Sequence, residues 1–552
     1  MERRTTFALL YAAAAGLAVW GWYEYRFLTD DAFITFRYAS NALAGRGFVW
    51  NPPPFLPVEG YTNFLWLLLL TGTWWATGLA PPRTANLASL GFALATLALV
   101  ARALARMPLP PARERLRTAL AAIVLLGIVS NRTWLVWSSS GLETALFGFA
   151  FVAWVLLALR DPGARTRAWA FALTSAAAAA ALTRPDGWLA VLGSLALFAL
   201  ELRRGGWPGP ARLTAWSPLG LPALHLLWRH ATYGQWLPNS YYAKQLGPWP
   251  ESGWRYAASF ALEYALWFWA LLVGIALLQM WRRTRRLRPP AHVAVALGVV
   301  VAHFLYYTLI VGGDHFEYRV YAHLVPLLLL AAGWSAARLA APPAASVAAL
   351  ATFVALSWPI PWAHHFAAQQ QNGREATHRM VVPVTPLLPA IFAPVARPFD
   401  TLQAWLIPRH VGMRHREHEV FLEWVQQVLP SREVGARIGW DDRPVAVAGN
   451  VRWLGWVLPN VAIIDMVGLN DYVVARTPPP DDGLRMMAHD RVAPPAYLAC
   501  FRPNVRLPGG GRVEVVPRPV PLDDATIRAC ERSWRARAGE PIEVPPGYEI
   551  RR

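Results

Sequence analysis

Long apolar runs recur along the first two thirds of this 552-residue chain and then stop. Between about residue 7 and about residue 361 they measure about 18 to 22 residues, enough for a helix to cross the hydrocarbon core of a bilayer. Beyond that point the pattern shortens and fills with charge. A helical period over 417–429 is followed by strand-like runs at 444–448, 461–465 and 513–516, set among Gly and Asn turns. The pattern therefore predicts a polytopic α-helical membrane domain over 1–361 and a soluble α/β domain over 362–552. The first run follows Arg3-Arg4 and ends in Trp20-Gly21-Trp22-Tyr23-Glu24-Tyr25, an aromatic interfacial anchor without a small-residue cleavage site, so it reads as an uncleaved first span. No repeat of 20–50 residues is visible.

Charge sets the expected topology. The formal net charge is +18, and of 52 Lys plus Arg residues only Lys244 is a lysine. In the membrane half the arginines fall mostly in short loops, where the positive-inside rule accounts for them, so nucleic acid is not expected as a partner. The loops at 102–117, 160–167, 203–212, 282–288 and around Arg338 are placed inside with Arg3-Arg4. The tips at 138–144, 182–187, 235–251 and 312–319 are placed outside. A last span near 347–358 delivers the C-terminal domain outside, which requires an odd number of crossings, eleven or thirteen. One conflict stands: apolar runs at 7–22, 62–80 and 84–101 would put 102–117 on the wrong side unless one of them is re-entrant or the spans are split differently. Cys500 and Cys530 are open to pairing or to standing as free thiols. No metal-ligand spacing and no Gly-rich phosphate loop appear, so neither nucleotide hydrolysis nor hydride transfer is supported. His410, His415 and His418 read as surface residues on an Arg-rich segment.

The outward-facing stretches carry more polar chemistry than short hairpins need. Asp30 and Asp31 sit hard against the end of the first span, where carboxylates are costly and usually functional; the blander alternative is a solvated loop with an N-cap at Asp30. A helix with Phe33, Phe36 and Ala39/Ser40 on one face is predicted to follow along the membrane surface, ending near Gly45-Arg46-Gly47 and stopped at Asn51-Pro52-Pro53-Pro54. Arg37, Glu59, Tyr61 and Asn63 belong to the same stretch. Glu143, Arg184, Asp186, Asn239, Tyr242, Lys244, Asp314, His315 and Arg319 come from the other tips. Cations and carboxylates beside apolar walls suit a lipid-linked anionic substrate: Arg and Lys hold phosphate, and a carboxylate acts as base toward a hydroxyl. Asp465, Asn470, Asp471 and His489 in the C-terminal part read either as a turn network or as groups that grip an acceptor.

The motifs Asp30-Asp31-Ala32-Phe33-Ile34-Thr35-Phe36-Arg37-Tyr38, Gly45-Arg46-Gly47, Asn51-Pro52 and Glu59-Gly60-Tyr61-Thr62-Asn63-Phe64-Leu65-Trp66 resemble the bacterial GT-C membrane glycosyltransferases. The likeness is greatest to the group around the mycobacterial terminal arabinofuranosyltransferases. Ser140-Gly141-Leu142-Glu143-Thr144, Thr183-Arg184-Pro185-Asp186-Gly187, Pro238-Asn239 through Lys244, Gly312-Gly313-Asp314 and Ile464-Asp465-Met466-Val467-Gly468-Leu469-Asn470-Asp471 also resemble that group. The resemblance implies a polyprenyl-phosphate sugar donor, a glycan or lipid-linked acceptor, an extracytoplasmic active site and a catalytic acid near the first span. On that reading Asp30 or Asp31 is the base or stabilises positive charge on the sugar. Arg37, Arg184, Lys244 and Arg319 hold the phosphate, with Glu59, Tyr61, Asn63, Glu143, Asp186, Asn239, Tyr242, Asp314 and His315 orienting substrate. No cofactor or metal is expected, since fixed cations can hold the leaving phosphate. The reading from a different class is a non-enzymatic transporter or envelope assembly factor. A transporter would gather its polar residues near the midplane rather than at one face.

Overall fold

The computed structural model describes residues 2–205, 213–285, 288–479 and 484–539. The loops expected at 203–212 and 282–288 lie partly outside these residues. Among the described residues five helices are long and apolar enough to cross a membrane: Arg4–Tyr25, Pro81–Arg106, Pro185–Arg203, Ala291–Val311 and Pro343–Gln369. The last runs on past residue 361. A sixth candidate, Pro250–Glu263 with Leu266–Thr284, is bent by 80°. Shorter apolar helices fill the space between, among them Phe64–Thr77, Thr144–Ala158 and Leu324–Ala336. The fold is that of a polytopic helical membrane protein. Local chemistry fixes the helix ends: Asn131 and Thr166 accept from Trp134 N and Trp169 N as N-caps, and Gly78, in the left-handed region, closes Phe64–Thr77.

The basic loops gather at one end of the bundle. Arg113 donates to Leu339 O at 3.0 Å and to Ala341 O, Arg338 to Pro108 O at 3.1 Å, and Arg165 pairs with Glu201 at 2.5 Å. At the opposite end the expected outer tips bond to one another. Phe27 N and Thr29 N donate to Ser139 O and Ser140 O, Asn239 N to Glu59 O, and Trp249 N to Ile310 O.

The C-terminal part holds two small sheets. Strands Val445–Ala448 and Ala462–Asp465 pair in parallel, in register Val445 with Ala462, and the short helix Arg452–Val457 lies between them in sequence. Strands Val505–Gly509 and Arg512–Val515 form an antiparallel hairpin whose first strand the sequence pattern did not reveal. The helix expected at 417–429 runs His415–Val428. Cys500 and Cys530 form a disulfide, with Cα atoms 6.1 Å apart.

This part seats directly on the outer tips, which corrects the expected surface helix. Ala32–Leu43 is packed between Phe64–Thr77 and Arg452–Val457, with both its apolar residues and Arg37 and Asn41 buried. The polar face that suggested water is covered by protein. Backbone strands join too: Gly412 N, Met413 N and Glu317 N bond to Asp314 O, His315 O and Met413 O.

Deeper still is a closed ionic cluster. Arg414 Nη1 meets Glu317 at 2.6 Å and Glu263 at 3.2 Å, and Arg132 meets both carboxylates as well. All four side chains are buried. Removing one member leaves charge buried without a partner, which costs about 3–5 kcal/mol. We expect Arg414→Met to lower stability by about that amount in denaturant or thermal unfolding of the detergent-solubilised protein. Arg255→Ala, which removes the exposed pair with Glu251, should change it by less than about 1 kcal/mol.

Candidate active site

After the first helix the chain is held by its bonds to Ser139 and Ser140, and this delivers Asp30 and Asp31 to the outer end of the bundle. Neither side chain caps the following helix: Asp31 is its N-cap residue but makes no capping bond. Both carboxylates instead face one guanidinium. Arg452 Nη1 lies 2.9 Å from Asp30 Oδ2, and Arg452 Nε pairs with Asp31 Oδ1. Asp30 is buried, and Thr29 Oγ1 donates to it at 3.4 Å. The solvated N-cap alternative is therefore replaced by an acidic pair, Asp30 buried and Asp31 partly so, with a shared counter-ion. Burial opposes ionisation of Asp31, but Arg452, Lys244 and Arg319, with His418 behind them, outweigh it and hold the carboxyl below its ordinary value.

Lys244, at the end of the short helix Asn239–Lys244, has an exposed side chain with no direct hydrogen bond or ion pair among the described residues. Its pKa is lowered, first by the protein that crowds it and then by Arg319 and Arg452, with Asp31 and Asp314 pulling the other way. Arg319 is held by Asp314 through two bonds of 2.8 and 3.1 Å and lies over the Phe316 ring. Arg452, Lys244 and Arg319 are thus the cations whose fields converge on Asp31.

The other predicted cations have different work. Arg37 is wholly buried and donates to Trp50 O, Gly455 O, Leu458 O and Val461 O at 2.7 to 3.0 Å. It is a tether between the first outer loop and the C-terminal part and is not placed to hold phosphate. Arg184 donates to Asp186, Glu143 and Tyr307 at 3.1, 3.0 and 2.7 Å, so it is a strut of the wall rather than a free ligand. The wall continues from it. Asn63 donates to Glu143 at 3.0 Å and shares bonds with Thr35, while Asp186 faces His303 at 3.4 Å. Glu59 pairs with Arg229 at 2.5 Å, and the hydroxyls of Tyr61 and Tyr233 are 3.1 Å apart.

Asn239 acts as a clasp. Its amide donates to the carbonyls of Gly468, Leu469 and Asp471, and its oxygen accepts from Arg476, whose guanidinium also covers the Tyr242 ring. The clasped turn is internally satisfied. Asp465 accepts from Val467 N, Gly468 N, Asn470 N and the Asn470 amide; Asp471 accepts from Val473 N, Val474 N and Tyr497. Burial raises both carboxyls, Asp471 to about 6. Of the two sequence alternatives the turn network is the one formed, and it lies against the first loop. Gly60 faces Asn470 so closely that a Cβ there would collide with the amide, which explains the glycine between Glu59 and Tyr61.

The histidines correct another expectation. His410, His415 and His418 are buried, because the segment that carries them is roofed by the outer loops: His415 packs on Phe27 at 4.5 Å and His418 on Phe316 at 4.6 Å. His315 and His489 join His410, with ring centroids 4.9 to 5.9 Å apart. Burial keeps all three neutral, His410 at about 2, His489 at about 4 and His315 well below its usual range. Arg452, Arg229, Tyr307 and Arg476 were missed in the sequence. Arg452 lies 422 residues from Asp30, and no local pattern marks it.

The fold and site define a polytopic membrane protein with an acidic pair at one end of its helices, paired with Arg452 and influenced by Lys244 and Arg319. No family model matches the sequence. The chain is similar to the terminal beta-(1->2)-arabinofuranosyltransferase of Mycobacterium tuberculosis, 30% identical over 361 residues, which is 60% of this chain and 55% of that protein. It is similar also to the enzyme of that name from Corynebacterium glutamicum, 29% identical over 358 residues, 59% of this chain and 50% of the relative. The chain thus spans about half the length of the curated relatives it matches. These relatives carry the name of the group that the motifs resemble. Among solved structures, ArnT from Cupriavidus metallidurans bound to undecaprenyl phosphate aligns with a TM-score of 0.47 at 13% identity, over 83% of this chain and 85% of that one. Arabinosyltransferase EmbB from Mycobacterium smegmatis aligns with 0.39 at 16% identity, over 76% and 40%.

The reassignment of Arg37 is directly testable. Arg37→Met strips four buried carbonyls of their donor, each worth about 1–3 kcal/mol, so the melting temperature should fall steeply. Lys244→Met should leave it within error, because that ammonium holds nothing in place.

Proposed function

We propose that this chain is a membrane glycosyltransferase that moves a sugar, arabinofuranose if it acts as its relatives are named, from a polyprenyl-phosphate donor to a glycan or lipid-linked acceptor. The observation that carries the proposal is the Asp30–Asp31 pair held by Arg452, with the charges of Lys244 and Arg319 also acting on Asp31. The donor phosphate competes with the carboxylates for these cations. When it takes Arg452, the acidic pair is released toward the sugar. The acceptor oxygen then bonds to the anomeric carbon as the bond from that carbon to the phosphate oxygen breaks. Polyprenyl phosphate departs with the bonding electrons, and the acceptor proton passes to the freed carboxylate. While Arg452 is still close, the low pKa of Asp31 suits it to stabilising positive charge on the sugar ring. Loss of that contact raises its basicity for the proton.

The site lies on the extracytoplasmic face in this reading. The basic loops at the opposite end mark the inside, and a Cys500–Cys530 disulfide fits an oxidising compartment. Residues 362–552 then form an extracytoplasmic domain over a membrane domain of eleven or thirteen crossings. Phe64–Thr77, at 14 residues about 21 Å long, is too short to cross and suits the re-entrant piece that brings 102–117 inside. The turn around Asp465, Asn470 and Asp471 forms the roof through which an acceptor approaches.

Proteoliposomes supplied with radiolabelled polyprenyl-phosphate sugars of several types test the reaction. Asp30→Asn or Asp31→Asn should cut transfer by about 10²–10⁴-fold, and near-full activity in both would exclude the assignment. Arg452→Met should raise the KM for donor. It should also move the acid limb of kcat/KM upward, because burial then acts on Asp31 with less opposition and the carboxylate is lost at a higher pH as pH falls. For topology, a reporter fused to the C-terminus should be active only outside the cytoplasm; a cytoplasmic signal would overturn that part of the reading.

A further inference from the structure

Three imidazoles from distant stretches meet near the acidic pair. His315 lies in the turn after the helix Ala291–Val311, His410 just beyond the helix Ala393–Leu406, and His489 ahead of the helix Pro495–Cys500. One ring nitrogen of each lies within 4.8 Å of one from each of the others. Backbone contacts set two of the rings. His315 Nδ1 is 3.1 Å from His410 O and His489 Nδ1 is 2.8 Å from Met487 O. A carbonyl can only accept, so both Nδ1 atoms carry the proton and both Nε2 atoms present a lone pair. His410 Nδ1 is buried with no hydrogen-bond partner among the described residues, and its Nε2 accepts from Arg379 Nε at 2.7 Å.

We propose that His315, His410 and His489 form a binding site for a divalent transition metal of the zinc type. An all-imidazole set suits zinc and its late first-row neighbours, whereas magnesium and calcium call for oxygen ligands. Three protein ligands leave a fourth position for water or an anionic oxygen. The carbonyls on the two Nδ1 atoms are the outer partners that orient ligating histidines. Arg379 is the competitor: it occupies one nitrogen of His410 and its charge opposes a dication, so it swings aside as the metal enters. The bound metal clips the loop 312–319 to two C-terminal segments. It also adds positive charge near Asp31, Lys244 and Arg452, whose fields already reach His489. The site does not depend on the transferase reading.

The test uses the full chain in detergent, purified through a tag without histidine, stripped with a chelator and dialysed. Zn²⁺ is titrated against a chromophoric chelator, and Co²⁺ binding is followed by visible absorption. One equivalent of Zn²⁺ should bind, and Co²⁺ should give the intense visible bands of a low-coordinate nitrogen site. His315→Ala and His489→Ala should each weaken binding by at least about 100-fold, the upper end for loss of an outer partner alone. Arg379→Ala should tighten it, which guards against mistaking a misfolded variant for a lost ligand. No zinc bound by the wild type at micromolar concentration, or equal affinity in the wild type and all three variants, would overturn the proposal.

Discussion

The pairing of Arg452 with Asp30 and Asp31 is the interaction on which the site depends. Two adjacent carboxylates cannot sit at a membrane surface, one of them buried, without a counter-ion held at fixed distance. The guanidinium supplies it from a short helix in the C-terminal part. That helix can present Arg452 only because it is pinned from below. Arg37 takes the carbonyls of Gly455 and Leu458, at and just after its end, and Val461 before the following strand. Gly455 allows the approach, since a side chain there would strike Trp50 and Arg37. One arginine fixes the platform and another stands on it.

The same division of labour runs through the outer end of the molecule. Arg37, Arg184 and Arg229 spend their donors on protein groups, Arg132 and Arg414 are ion-paired with buried carboxylates, and all five act as bolts. Arg452 and Arg319 are paired with Asp30, Asp31 and Asp314, and Lys244 has no side-chain partner among the described residues. Charge alone does not distinguish these groups in a sequence with so many arginines. What separates them is where they are engaged: on backbone and on carboxylates away from the acidic pair, or around Asp31, where the charges of Arg452, Lys244 and Arg319 meet.

Legibility in the sequence followed this line. The helical membrane class, the strands at 444–448 and 461–465 and the polar richness of the loops between apolar runs were readable, because periodicity and composition are local. Asp30 and Asp31 were singled out by their position, and the fold pairs both with Arg452. Arg37 was misread because an arginine beside an acidic pair looks like a phosphate ligand, and only the fold shows that four carbonyls claim it. Arg452 was invisible for the complementary reason: nothing near it in the chain hints at a carboxylate partner. The buried histidines were taken for surface because their segment is rich in charge, while the loops that cover them come from elsewhere.

The packing of Ala32–Leu43 between Phe64–Thr77 and Arg452–Val457 has a consequence for biosynthesis. The acidic pair leaves the ribosome 422 residues before the guanidinium that neutralises it. At about 5–20 residues per second that interval is about 20–80 s. Through that time the first outer loop has neither its roof nor its counter-ion, and the helix that follows Asp31 has an uncovered flank. Its final shape is fixed only when the C-terminal part folds onto it. A nascent chain stalled before residue 450 would hold a nearly complete set of membrane helices around an acidic pair that lacks its counter-ion.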